Sequence, residues 1–157
     1  MNRSGTKIKK YGIEFDSLLE LDFYEEFLKR GKKLDRGTPI AVIDGFKSNV
    51  KCFTNDNDSG AFKVVSPTIR KIEYTPDFIY DYPNGKAYIE VKGFPNETFR
   101  YRWKLFKKYI EEHEPDSIIF LIKRKHNGRV KQKDNMARLE ETESIVSDIL
   151  KIIQDNE

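Results

Sequence analysis

Apolar positions along the chain change their spacing several times, and each change marks an element. From Asp16 to Gly31, Leu18, Leu19, Leu21, Phe23, Tyr24, Phe27 and Leu28 give a wide stripe at helical spacing, and Gly31 ends it. Residues 37–70 are the least regular part. Val50 and Cys52, then Phe62 and Val64, alternate with polar neighbours on either side of the polar run 54–60, which predicts strand, loop and strand. Residues 74–80 are rich in aromatic and β-forming side chains. In 86–92, Ala87, Ile89 and Val91 alternate with Tyr88, Glu90 and Lys92, so the two sets face opposite ways. Asn84-Gly85 between these segments reads as the two central residues of a hairpin turn. Residues 99–113 read as a helix with Phe99, Trp103, Phe106 and Ile110 on one face. The run 117–122 has no alternation, as expected of a central strand covered on both faces. A last helix over 138–153 is marked by Ile145, Val146, Ile149, Leu150, Ile152 and Ile153. Helix, strands, helix, strand, helix predicts an α/β or α+β domain, a mixed central β-sheet flanked by helices.

Length and composition narrow the classes. At 157 residues one domain is the expectation, long enough to form a core without staples. The 20 aromatics among these residues argue against disorder. The longest apolar run, Ile118 to Ile122, is far short of the roughly 20 residues of a membrane helix. No apolar stretch follows Lys7, Lys9 and Lys10, so residues 1–10 read as a flexible basic arm rather than a signal peptide. The single Cys52 leaves no intrachain disulfide and no cysteine-based zinc site. The expectation is a cytoplasmic protein without a membrane partner. The Asp/Asn cluster in 54–60 lacks the closing acid of a calcium loop.

The formal net charge of +3 conceals segregation. Residues 134–157 carry two bases against seven acids, so the final helix is acidic and amphipathic, while residues 1–133 carry 27 bases against 19 acids. Two windows have no acid at all. Residues 99–108 hold Arg100, Arg102, Lys104, Lys107 and Lys108; residues 123–133 include Lys123, Arg124, Lys125 and Arg129. Such windows suit phosphate neutralisation and make these nine residues candidate nucleic-acid contacts.

Chemistry concentrates in the hairpin. A tight Asn84-Gly85 turn places Asp77 opposite Lys92 and Ile79 opposite Glu90, so Asp77, Glu90 and Lys92 share one face. Two carboxylates can hold a hard cation through oxygen, which suits Mg²⁺. The cation stabilises charge on a phosphodiester and acidifies a bound water. A lysine beside it positions that water or offsets developing charge.

Pro76-Asp77, twelve intervening residues, then Glu90-Val91-Lys92 resembles the signature of the PD-(D/E)XK nuclease superfamily. Phe15-Asp16-Ser17-Leu18-Leu19-Glu20 is similar to the start of the first helix, where many members carry a further acid. The run Tyr74 to Phe78 and the segment after Gly93 are similar to phage resolvases of the endonuclease I type. The resemblance implies a restriction-endonuclease-like core and Mg²⁺, replaceable by Mn²⁺, held by Asp77, Glu90 and the Val91 backbone carbonyl. It further implies Lys92 acting on the attacking water and Glu20 reaching the metal directly or through water. Ser17 and Glu20 also fit a capping box, which gives Glu20 a structural alternative.

The function implied is a DNA endonuclease, structure-specific toward branched DNA such as a Holliday junction and of phage or mobile-element origin. A resolvase acts as a homodimer, because two opposed strands must be cut. The alternatives are a transposase-type subunit that needs a partner and a non-catalytic DNA-binding subunit on the same fold. The helix over 138–153 is either a cap on its own core or part of a dimer interface.

Overall fold

The computed structural model describes residues 7–93, 95–124 and 135–157. A short hairpin of β1 (Ile8–Lys10) and β2 (Ile13–Phe15) opens the described chain, followed by α1 (Leu18–Lys29). The basic arm expected over 1–10 is therefore part strand. Tyr11 and Gly12 make its turn at positive φ, and Phe15 is fully buried, which ties the hairpin to the core. Ser17 caps α1 by accepting the Glu20 N–H. After β3 (Asp35–Arg36) the chain runs outward through β4 (Ile40–Ile43), β5 (Phe46–Lys47) and β6 (Phe53–Asn55). It returns through β7 (Phe62–Val64), β8 (Thr68–Ile69) and β9 (Ile72–Tyr74). These pair as β4 with β9, β5 with β8 and β6 with β7, so residues 40–74 are one long interrupted ribbon rather than a single strand-loop-strand unit.

The central sheet follows: β10 (Phe78–Tyr82), β11 (Gly85–Lys92), then α2 (Glu97–His113), β12 (Ile118–Lys123) and α3 (Asn135–Asp155). Its order is β12-β11-β10-β3, with β10 antiparallel to both neighbours and β12 parallel to β11. The protein is thus a mixed α+β fold with a mixed sheet and, among the described residues, three helices. Among the described residues no helix is long and apolar enough to cross a membrane.

Strand alternation sorts the apolar residues into two layers. Phe78, Ala87, Ile89, Val91 and Ile122 point to one face, where Phe23 and Phe27 of α1 and Val146, Ile149 and Ile153 of α3 cover them. Tyr88 and its neighbours on the other face meet Trp103, Phe106 and Ile110 of α2. The predicted helical face of 99–113 is therefore the buried one. The α3 residues cap this core, while Met136, Leu139 and Ile152 remain exposed.

Two expectations are corrected. Among the described strands β12 is the last of the sheet, not a central one. Its continuous apolar run reflects two covered faces, α3 on one side and α2 on the other, and not two flanking strands. The hairpin register also differs by two. Tyr82 pairs Gly85 and Phe78 pairs Ile89, so Pro83 and Asn84 are the central turn residues. Proline supplies the fixed φ suited to the first of them. Gly85 instead starts β11, where a Cβ would come within 2.9 Å of the Asp116 carbonyl oxygen. An even shift preserves the faces, so Asp77, Glu90 and Lys92 still project together.

Candidate functional site

The site lies at the end of β10 and β11, on the face covered by α2. Asp77 directly precedes β10, level with Glu90 in the observed register. Gly37 makes this approach possible: its N–H donates to the Asp77 carbonyl at 3.2 Å, and a Cβ on it would overlap the Pro76 carbonyl oxygen at 1.7 Å. Asp77 Oδ2 accepts the Val91 N–H at 2.7 Å, which fixes the carboxylate against β11. Glu90 is 2% exposed. Its Oε1 meets Lys92 Nζ at 2.8 Å, while its Oε2 is buried without a hydrogen-bond partner. The Lys92 ammonium also lies 4.8 Å from the Phe99 ring centre. Asp77, Glu90, Lys92 and Arg102 line one open cleft of about 360 Å³, with Asp16 and Glu73 adding negative charge at its rim.

Electrostatics make this a strained pair of acids. Burial pushes the Asp77 carboxyl well above the usual carboxylate range, and the charges of Glu90 and Glu20 push it further. Burial works against the Lys92 ammonium, but Glu90, Asp77 and Glu20 outweigh it and hold its pKa above the ordinary value. Lys92 is therefore a charged donor here, suited to positioning a water or offsetting negative charge. The crowding of buried carboxylates, which Lys92 only partly offsets, has a consequence for the metal-free protein. Between the ordinary aspartate pKa of about 3.9 and its raised folded value, the native state holds more protons than the unfolded chain. This contribution to stability is complete on the acid side and is lost as pH rises through the window. Melting temperatures across the neutral range in EDTA should fall more steeply for the wild type than for Asp77→Asn; parallel curves would contradict it.

Glu20 is 5% exposed and does two structural jobs. Its Oε2 accepts the Asp16 N–H at 3.3 Å and pairs with Arg36 Nη1 at 2.9 Å. Its charge still reaches Asp77 and Lys92. The capping box expected at Ser17 and Glu20 is only half formed: Ser17 Oγ accepts the Glu20 N–H, but the Glu20 carboxylate accepts from the Asp16 N–H and the Ser17 hydroxyl rather than from the Ser17 N–H. A direct metal bond would compete with Arg36. Among the described residues, no three His, Cys, Asp or Glu side chains gather tightly enough to enclose a cation alone. A metal here would take Asp77 and Glu90 as its carboxylates and need backbone or water for the rest, which Mg²⁺ accepts readily.

The basic candidates separate. Arg100, Lys104, Lys107 and Lys108 stand exposed on α2, and Arg102 reaches the cleft. Lys123 is exposed on β12 and registers with Lys92. Arg124 is corrected: its side chain is fully buried, donates to Thr142 Oγ1 at 2.6 Å and to the Arg138 carbonyl at 2.9 Å, and covers the Phe23 ring. It continues the inward parity of Ile122, so it belongs to the core and is no phosphate contact. Lys125 and Arg129 lie outside the described residues.

Two site residues escaped the pattern reading. Arg36 holds Glu20 and lies over the Phe15 and Phe78 rings. Tyr74 packs on Trp103 and Phe106 and places a buried hydroxyl beside Glu90. Burial and the Glu90 charge keep that phenol protonated. No family model matches the chain, and no curated protein or solved structure matches it. The chemistry of the cleft has to be read from its own residues.

Proposed function

We propose that this protein is a Mg²⁺-dependent DNA endonuclease built on a restriction-endonuclease-like core, with Mn²⁺ able to replace Mg²⁺. One observation carries the reading: among the described residues Asp77 and Glu90 converge with Lys92 as the ion-pair partner of Glu90, Glu90 Oε2 is buried outside any hydrogen bond, and burial with neighbouring charge disfavours the ionised form of Asp77. A divalent ion would satisfy both. When bound it supplies Lewis-acid stabilisation of the phosphodiester and an acidified water. The protein's own groups do the rest. The Val91 N–H orients Asp77, Lys92 offers a charged donor to the attacking water or the developing charge, and Arg102 offers a phosphate contact at the rim. The order helix, antiparallel strands, helix and parallel strand supports the same reading. So does the exposed basic surface of α2, which would track the DNA backbone. Paired incisions would come from a homodimer.

The test is a panel of four-way junction, flap, duplex, single-stranded DNA and RNA, each with Mg²⁺ or EDTA. Cleavage of DNA in Mg²⁺ alone is expected, with a branched substrate cut fastest. Binding without cleavage under Mg²⁺ and Mn²⁺ would replace the enzyme with a DNA-binding subunit. Reversing charge at Arg100 and Lys104 should weaken binding across all DNA forms and flatten its salt dependence.

A further inference from the structure

The ribbon over 40–74 is not explained by the cleft alone. Its root is. Tyr74 of β9 packs on α2 and leads through Thr75 and Pro76 into Asp77, so the ribbon springs from the rim of the site. Farther out the ribbon carries apolar side chains that no described residue covers. Phe53, Phe62 and Val64 are 57%, 74% and 64% exposed. Phe53 pairs with Val64 and Asn55 with Phe62, which puts all four side chains on one face; Thr54 and Lys63 take the other.

We propose that this distal face stacks on unpaired bases of branched DNA, with Phe53 and Phe62 as the stacking rings. The assignment rests on the endonuclease reading and names its substrate class. Phe53 and Phe62 are diagonal neighbours in the register, a relation that sets strand positions about 7–8 Å apart. That spacing is near twice the roughly 3.4 Å between successive bases in a strand. Phosphate partners come from the same ribbon: Lys47, Lys51 and Arg70 are exposed on it, while Lys63, on the opposite face, pairs with Asp56 at 3.8 Å and Lys71 pairs with Glu73 at 2.6 Å. The acid at the tip is engaged internally, since Asp56 Oδ1 accepts the N–H groups of Asp58 and Ser59. Exposed aromatic rings on a ribbon that also carries Lys47, Lys51 and Arg70, continuous with a cleft that would hold the scissile phosphate, match a single-strand stacking platform better than an apolar contact between proteins.

The test is binding of the full chain, in EDTA, to a labelled DNA flap with unpaired bases and to a plain duplex of equal length. Exposed positions tolerate change, so Phe53→Leu/Phe62→Leu should fold. It keeps apolar bulk and removes the ring faces. Flap affinity should drop roughly tenfold per ring, duplex affinity should hold within about twofold, and Phe53→Tyr/Phe62→Tyr should restore flap binding. Flap binding equal to wild type in the leucine variant would overturn the assignment while leaving a wild type that cuts DNA intact as an endonuclease. A wild type that neither binds nor cuts any DNA would end both. A shift from dimer to monomer in Phe53→Ala/Phe62→Ala, with equal loss on flap and duplex, would mean that a second copy covers the ribbon and would also overturn it.

Discussion

Replacing Asp77 with asparagine should abolish cleavage and make the metal-free protein more stable. The two effects have one cause. Asp77 is buried beside Glu90 and within reach of Glu20, so its ionised form is disfavoured in the folded state. Asparagine removes that charge and keeps an oxygen for the Val91 N–H at the position Asp77 now occupies. Each kcal/mol relieved should raise the melting temperature by about 2–4 °C for a chain of this size. Losing a metal-ligating carboxylate should cost more than roughly 100-fold in rate, since even outer partners of such ligands cost 10–100-fold. Melting curves in EDTA and cleavage rates in Mg²⁺ check the two halves. A variant that is both inactive and strongly destabilised would mean that Asp77 is a structural acid.

Arg138→Ala should be the most destabilising single change in the helical layer, with no direct effect on the chemistry. Arg138 Nε meets Asp22 Oδ2 at 2.8 Å, with the two side chains 8% and 4% exposed. Burial already pushes the Asp22 pKa upward despite this partner. Removing the guanidinium leaves a buried carboxylate without its hydrogen-bonded partner and with only the more distant charge of Arg124 to offset it, at a cost of about 3–5 kcal/mol. That corresponds to roughly 6–20 °C in melting temperature. Asp22→Leu/Arg138→Met should recover much of the loss, because two apolar side chains remove both desolvation penalties. Equal destabilisation of the single and double variants, read from thermal melts, would show that packing rather than charge dominates there.

What was legible in the sequence follows from which forces are local. Alternation in 86–92 fixed the two faces of β11, and that parity survives a register error of two, so Asp77, Glu90 and Lys92 were placed together correctly. The error itself came from Asn84-Gly85, a pair that favours a hairpin centre. The glycine is used for close approach of the Asp116 backbone, a tertiary demand invisible along the chain. Arg124 was misread because composition gave its whole window one role, although parity with Ile122 already pointed it inward. Glu20 carried two local signals, cap and acid, and the structure honours the cap in part while keeping its charge near the site. The long ribbon was only half visible: β4 and β9 pair across about thirty intervening residues, and such non-local pairing leaves little trace in a short window.

The account stands on the claim that Asp77 and Glu90 together hold the ion that drives phosphodiester cleavage. The most direct measurement is the single-turnover rate on a branched DNA as Mg²⁺ is titrated, with wild type and Glu90→Gln purified in parallel. The account predicts a saturable, EDTA-reversible rate for the wild type and a loss of more than roughly 100-fold for the glutamine variant. Equal rates for the two proteins, or cleavage that persists in EDTA, would contradict it.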